Sequence, residues 1–220
     1  MPNAEGEVAD VVLGFSTLDE WLTQEVCFNG INGRTAGRIR GAQFDIDGTT
    51  YHVTQNAGEH CLHGGYHGFN DKVWDVVEVS NSAIKLHYLS PDGEEGFPGN
   101  LHVYVTYLLQ GKDLVINYEA NTDAPTILNL TNHAYFNLDG YMSESVLDQK
   151  LQVFADEFLE VDDEQMMTGT VLNVRGTPFD FREPKKIGED LGANDVQLKN
   201  GLGYDHHFII PGSGMRKHAE

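Results

Sequence analysis

The sequence predicts an all-β protein, an antiparallel sandwich or barrel, and three observations carry that expectation. Apolar residues recur with a period of two, the spacing that places alternate side chains on one face of a strand. Glycine is abundant, 24 in 220 residues, and turn signals punctuate the chain between short apolar runs. Helical spacing is confined to two short stretches.

The elements follow in order. Thr17–Glu25, behind Ser16 as candidate N-cap, is the first helical stretch. Phe44–Val53 reads as a hairpin around Asp47-Gly48, a pair that supplies the positive φ of a tight turn. Trp74–Ser80 and Ala83–Leu89 form a second hairpin through Asn81-Ser82. In the next run Leu101, Val103, Val105, Tyr107 and Leu109 alternate with His102, Tyr104, Thr106 and Leu108, as a strand buried mainly on one face requires. Gly111-Lys112-Asp113 interrupts it and Leu114–Ala120 resumes it, which makes a third hairpin. Thr126–Thr131, Leu151–Val161 and Thr170–Val174 are further strands, and Ile187–Leu191 is the second helical stretch. No Pro-rich or Ser-rich linker, charge block or repeat divides the chain, so residues 1–220 are expected to form a single domain.

Composition narrows the function. Hydrophobic residues at 40% and aromatics at 10% fit a folded chain and not a disordered one. Fourteen Lys plus Arg against thirty-four Asp plus Glu give a net charge of −20, which repels phosphate backbones and anionic lipid and argues against nucleic-acid and membrane partners. Cys27 and Cys61 are too few for a disulfide framework and lack CxxC spacing. The polar, acidic opening residues do not read as a secretory signal, and no apolar run approaches a membrane span. A soluble cytoplasmic protein is expected.

Three segments do not read as scaffold. His60-Cys61-Leu62-His63-Gly64-Gly65-Tyr66-His67 puts three imidazoles in a glycine-rich loop. Its residues allow a polar site or surface histidines in an acidic protein, and a zinc site on His60, His63 and His67 is a further option, although HExxH and finger spacings are absent. In Leu128–Leu138, Asn129, Asn132 and His133 interrupt an apolar run; they either face solvent or belong to a polar network, and His133 alone could be a hydrogen-bonded core histidine. Gly203-Tyr204-Asp205-His206-His207-Phe208 sets a carboxylate among aromatic rings, a composition that suits sugar binding and equally a polar turn. A Gly-x-Ser-x-Gly elbow is missing, which disfavours a nucleophilic hydrolase, and phosphate loops and dinucleotide fingerprints are missing, so ATP and NAD have no visible seat.

Together with Asp10–Phe15, Gly37-Arg38-Ile39, Asp47-Gly48, Leu62-His63-Gly64-Gly65, Gly68-Phe69, Val73-Trp74 and Ser90–Gly99, these segments make the chain similar to the aldose 1-epimerase, or galactose mutarotase, family over nearly its whole length. The resemblance implies a large antiparallel β-sandwich of the galactose mutarotase-like supersandwich type. It also implies interconversion of the α and β anomers of free aldohexoses such as galactose and glucose, without cofactor or metal. It places the general acid, which protonates the ring oxygen, on His133, and sugar-binding roles on Arg38, His63 and Asp205. An imidazole suits acid work because it ordinarily titrates near neutrality.

The departures are informative too. The family's glutamate base lies well downstream of the Asp205 motif, beyond Glu220, and the family's opening β region precedes the match at Asp10; the resemblance therefore implies a chain incomplete at both ends. Without that base, a catalytically silent sugar-binding sandwich is the alternative. Phe97 stands where the family more usually has tyrosine and His207 where it more usually has asparagine, changes expected to bear on sugar preference.

Overall fold

The computed structural model describes residues 8–23, 27–111, 113–214 and 217–220. Strands dominate among them, the two α-helices are short, and every pairing between named strands is antiparallel. The chain divides into two compact units, Gly14–Tyr135 and Phe136–Glu220 with the described residues up to Leu13.

Gly14–Tyr135 begins with α1 (Leu18–Thr23). Its cap is Thr17 and not Ser16: the Thr17 hydroxyl accepts the Glu20 N–H at 3.3 Å while the Glu20 carboxylate accepts the Thr17 N–H at 2.9 Å, the reciprocal pairing of a capping box, which needs its acceptor side chain three residues downstream. The expected end of this helix, at Gln24 and Glu25, lies outside the described residues. Short strands β1 (Ile31–Asn32) and β2 (Arg38–Ile39) follow, then the hairpin β3 (Gln43–Ile46) and β4 (Thr49–His52), and β5 (Cys61–Leu62). At the hairpin tip Asp47 and Gly48 both adopt positive φ, +50° and +79°, the pair of left-handed residues that matches strand twist in a two-residue turn.

The largest sheet is the meander β6 (Asp75–Val79), β7 (Ala83–Ser90), β8 (Leu101–Gln110) and β9 (Asp113–Thr122). Alternation in β8 is realised at Leu101, Val103 and Val105, which are buried with Ile31 and Phe69 and flanked by Trp74, Tyr88 and Tyr118. It fails at Leu109, which pairs with Leu114 beside the hairpin end; both are exposed because the strands there have run past the core. Lys112 of the expected turn lies outside the described residues. A second core gathers Ala42, Val53, Cys61 and Phe97. The expected strand Thr126–Thr131 is mostly irregular. Only β10 (Thr131–Asn132) forms a ladder, with β1, and Asn129 makes a single parallel bridge to Thr35, its side chain donating to the Ala36 carbonyl at 3.2 Å.

In Phe136–Glu220, β11 (Lys150–Leu151) pairs with β14 (Lys185–Lys186), and β12 (Glu157–Val161) lies between β13 (Met167–Asn173) and β15 (Phe208–Ile209). The expected continuous strand Leu151–Val161 is broken because its backbone changes partners midway: Val153 N–H bonds the Phe181 carbonyl at 2.7 Å and Phe154 N–H the His218 carbonyl at 2.8 Å. Ile187–Leu191 is not helical, since Ile187 and Gly188 donate to the carbonyls of Gln149 and Leu147. The helix forms later, at α2 (Val196–Asn200), where the Asp195 carboxylate caps the N–H groups of Gln197 and Leu198. Phe158, Val174, Phe179 and Leu198 make one core, and Val153, Ala155 and Phe181 another, with Tyr204 and Phe208 packed against both. No helix among the described residues is long and apolar enough to cross a membrane.

Candidate functional site

Residues 30–39 form a spine for three of the four candidate residues. On one flank His133 N–H donates to the Gly30 carbonyl at 2.9 Å, and Asn29 N–H returns to the His133 carbonyl at 3.1 Å, extending the β1–β10 ladder. On the other flank Arg38 pairs with Leu62 in the β2–β5 ladder, and His63 N–H donates to the Gly37 carbonyl at 2.9 Å. This brings the His63 and His133 rings edge to face with centroids 5.1 Å apart, while Arg38 lies one register position from His63. All three side chains are half-buried, so a ligand from solvent can reach them.

The orientation of His63 is fixed on both sides. Its Nδ1 accepts the Gly37 N–H at 3.2 Å, which leaves the ring proton of the neutral form on Nε2 and makes that nitrogen a donor. Its backbone is left-handed, φ +51°, and Gly64 and Gly65 follow at +89° and +108°. A non-glycine residue in that region stores strain that the surroundings must hold. Glycine is obligatory after it: a Cβ on Gly64 would sit 1.9 Å from the Gly33 carbonyl oxygen. His133 packs on Tyr135, ring centroids 5.1 Å apart, and among the described residues its ring nitrogens make no hydrogen bond.

Arg34, which the sequence reading passed over, fastens the backbone around this spine. It is 2% exposed and donates to the carbonyls of Ser90, Pro91, Pro98 and Gly99 and to the hydroxyls of Ser90 and Thr126, at 2.7–3.3 Å. Glu94 beside it accepts from Ser90 and Tyr88 and pairs with Lys72 at 2.7 Å. Burial works against charge on Glu94, yet the hydrogen bonds from Lys72, Ser90 and Tyr88 outweigh it and hold the carboxyl below its ordinary range. Burial, and after it the hydrogen bond to Glu94, pushes the Tyr88 hydroxyl up.

Asp205 belongs to the other unit. It is exposed, while its neighbours Tyr204 and His206 point the segment into the core: Tyr204 packs on Phe179 and Phe181, and His206 on Phe158 and Phe179. Gln197 holds His206. Its amide pairs with both backbone groups of Val161, Oε1 accepting the N–H at 2.9 Å and Nε2 donating to the carbonyl at 3.1 Å. Oε1 is therefore an acceptor, and His206 Nε2, 3.1 Å away, carries the proton. Burial lowers the His206 pKa below its ordinary value. The Tyr204 hydroxyl is pushed up to about 12, first by burial.

The zinc option on His60, His63 and His67 does not survive the geometry. His60 and His63 each accept a backbone N–H through Nδ1, from Gly41 and Gly37, and His67 is exposed beside Asp71. No group of three or more His, Cys, Asp or Glu among the described residues is placed to hold a metal ion. Phe97 is buried against Phe44, centroids 5.9 Å apart.

Comparison with known proteins is consistent along the chain. The sequence model of the aldose 1-epimerase family matches residues 1–220. The chain is 40% identical to galactose mutarotase of Rattus norvegicus over 213 residues, 97% of this chain and 60% of that protein. It is 37% identical to aldose 1-epimerase of Escherichia coli over 218 residues, 99% of this chain and 62% of that protein. The chain thus spans about 60% of the length of these curated relatives. A solved aldose epimerase homologue from C. elegans superimposes with a TM-score of 0.86 at 33% identity, covering 99% of this chain and 66% of that one. The all-β antiparallel pairing seen here is that of a galactose mutarotase-like β-sandwich, and the chain belongs to the aldose 1-epimerase family.

Proposed function

We propose that the protein interconverts the α and β anomers of free aldohexoses such as galactose and glucose, and that residues 1–220 are part of a single catalytic domain. The observation that carries this reading is the pair of imidazoles, His63 and His133, set edge to face at 5.1 Å beside Arg38 on one backbone spine. The names of the relatives support the substrate class, and the family match running unbroken through both compact units supports the single domain.

Mutarotation opens and recloses one C–O bond by way of two proton transfers. A base takes the proton of the C1 hydroxyl as an acid protonates the ring oxygen; the C1 to ring-oxygen bond breaks, the aldehyde turns about the C1–C2 bond, and reclosure on its other face returns both protons. His133 is the acid, its ring nitrogens facing no competing hydrogen bond among the described residues. His63 donates through Nε2 to a sugar oxygen, a direction that Gly37 N–H at Nδ1 enforces. Arg38 supplies a second donor, and Asp205 accepts from sugar hydroxyls. The base is none of these four. The net charge of −20 supports a neutral substrate over nucleic acid or anionic membrane, and two free thiols support a reducing, cytoplasmic setting.

The test is polarimetry of freshly dissolved α-galactose and α-glucose with the full-length protein, without added metal or nucleotide. Acceleration is expected for at least one sugar. Measurable sugar affinity with an unchanged rate would replace the enzyme reading with a sugar-binding one, and neither affinity nor acceleration would overturn both.

A further inference from the structure

We propose that Glu95 is a positioning residue for His63, holding from behind the loop on which that imidazole is carried; this rests on the reading of His63 as a sugar-binding group. The loop 63–68 opens with three successive left-handed residues, His63, Gly64 and Gly65, a conformation that has no ladder of its own to sustain it. At its near end it is tied to β2 by the two hydrogen bonds between His63 and Gly37. At its far end Phe69 N–H donates to the Gly33 carbonyl at 3.2 Å. Between these ties, Tyr66 N–H and His67 N–H both converge on the Glu95 carboxylate, at 3.2 Å to Oε2 and 3.1 Å to Oε1. One carboxylate accepting two successive backbone donors is a charge-assisted fork, stronger and more directional than neutral bonds.

The carboxylate is itself immobilised. Glu95 sits at φ +49°, its carbonyl accepts Thr54 N–H at 3.0 Å, and the preceding Glu94 is held by Lys72, Tyr88 and Ser90. The fit against the loop is close enough to dictate sequence on the other side, since a Cβ on Gly65 would lie 2.0 Å from Glu95 Oε2. The acidic Pro91–Gly99 turn, prominent in the sequence, thus acts on the site from outside it: Arg34 and Glu94 fasten the turn, and Glu95 transmits that rigidity to the loop. Loosening the fork lets the strained His63 backbone relax, which misplaces a binding donor without removing it.

Four variants of the full-length protein test this: Glu95→Ala, Glu95→Gln, His63→Ala, and Glu95→Ala combined with His63→Ala. Mutarotation kinetics and amide hydrogen exchange at Tyr66 and His67 are the readouts. Glu95→Ala is expected to raise KM about tenfold while changing kcat less than about threefold, as loss of an orienting contact to a binding group should. Glu95→Gln, which keeps one acceptor oxygen, should fall between wild type and Glu95→Ala. The double variant should be no worse than His63→Ala alone, because residues acting through one another are not additive. Exchange at Tyr66 and His67 should accelerate in Glu95→Ala. Additive effects in the double variant, or an unchanged KM in folded Glu95→Ala, would overturn the proposal; should Glu95→Ala not fold, Glu95→Gln carries the same criterion, an unchanged KM overturning it. If the wild type itself does not accelerate mutarotation, the functional reading fails, and unchanged exchange at the two amides would separately refute the holding role of Glu95.

Discussion

Replacing Arg34 by methionine should cost at least about 2 kcal/mol, a sizeable part of the ~5–15 kcal/mol that ordinarily separates folded from unfolded protein. The figure follows from what the guanidinium leaves behind. Methionine fills much of the same stem volume but has no donor, so the carbonyls of Pro91, Pro98 and Gly99 lose their partner together, while Ser90 keeps its place opposite Leu101 in the β7–β8 ladder. Pro91 is exposed and can turn to water, whereas Ser90, Pro98 and Gly99 are buried. Each buried acceptor left unpaired costs about 1–3 kcal/mol, and the lower bound for Pro98 and Gly99 together sets the minimum. An opposing term exists, because burial disfavours the charged guanidinium and lowers its pKa, and removing a buried ion recovers that desolvation. Recovery can win where every partner is replaced by apolar groups. Here the partners are backbone carbonyls that no substitution removes, so the loss prevails.

Both tryptophans of residues 1–220, Trp21 and Trp74, lie in Gly14–Tyr135, so the part of the fluorescence transition that Trp21→Phe and Trp74→Phe together remove reports on the unit that contains Arg34. Urea unfolding of the full-length protein should show the midpoint falling by at least about 0.7 M in Arg34→Met, taking an m-value of about 1–3 kcal/mol per molar. Arg34→Lys should recover part of the loss, since an ammonium keeps the charge but not the planar fork. A midpoint within about 0.3 M of wild type for Arg34→Met would refute the reasoning.

Other outcomes are equally definite. His133→Asn should lower kcat by about 10²- to 10⁴-fold with a smaller change in KM, while Asp205→Asn should mainly raise KM; indistinguishable kinetic profiles would remove the division of roles. His206 has its folded pKa depressed by burial below the ordinary 6.5, so its contribution to stability is complete above that value and declines as pH falls from 6.5 through the lower folded pKa. Circular dichroism melts between pH 7.5 and 5 should show this decline in wild type and a flatter profile in His206→Gln. The Cys61 thiol, 1% exposed and pushed up to about 11 chiefly by burial, should resist a disulfide reagent in native protein and react at once in urea; fast native reaction would contradict its burial.

The sequence was most readable where structure is local. Hairpins at Asp47-Gly48 and through Asn81-Ser82 follow from turn chemistry a few residues long, and the β8 alternation follows from one face meeting Phe69 and Ile31. It was least readable where a strand changes partner, as at Val153 and Phe154, because apolar spacing says that a residue is buried and not which backbone will pair with it. Arg34 was invisible for a related reason: its acceptors are carbonyls up to 65 residues away, and a carbonyl leaves no mark in a sequence.

The Asp205 segment shows how far a local rule reaches into a candidate site. Tyr204-Asp205-His206-His207-Phe208 reads from composition as one undivided polar and aromatic cluster. The structure sorts it by phase: Tyr204, His206 and Phe208 are half-buried, while Asp205 and His207 are exposed. Phe208 opens β15 opposite Phe158, and the residues that lead into it alternate with a period of two, although within β15 Phe208 and Ile209 are both half-buried. The phase also separates two chemistries that composition merges. His206, on the inner phase, is committed to Gln197 and through it to the end of β12, whereas Asp205 and His207, on the outer phase, are exposed. A ligand preference written in this segment is therefore expected to respond to substitution at His207 and not at His206, whose loss should act through stability; equal shifts in sugar affinity from His207→Asn and His206→Gln, at equal stability, would show that phase does not divide binding from scaffold here.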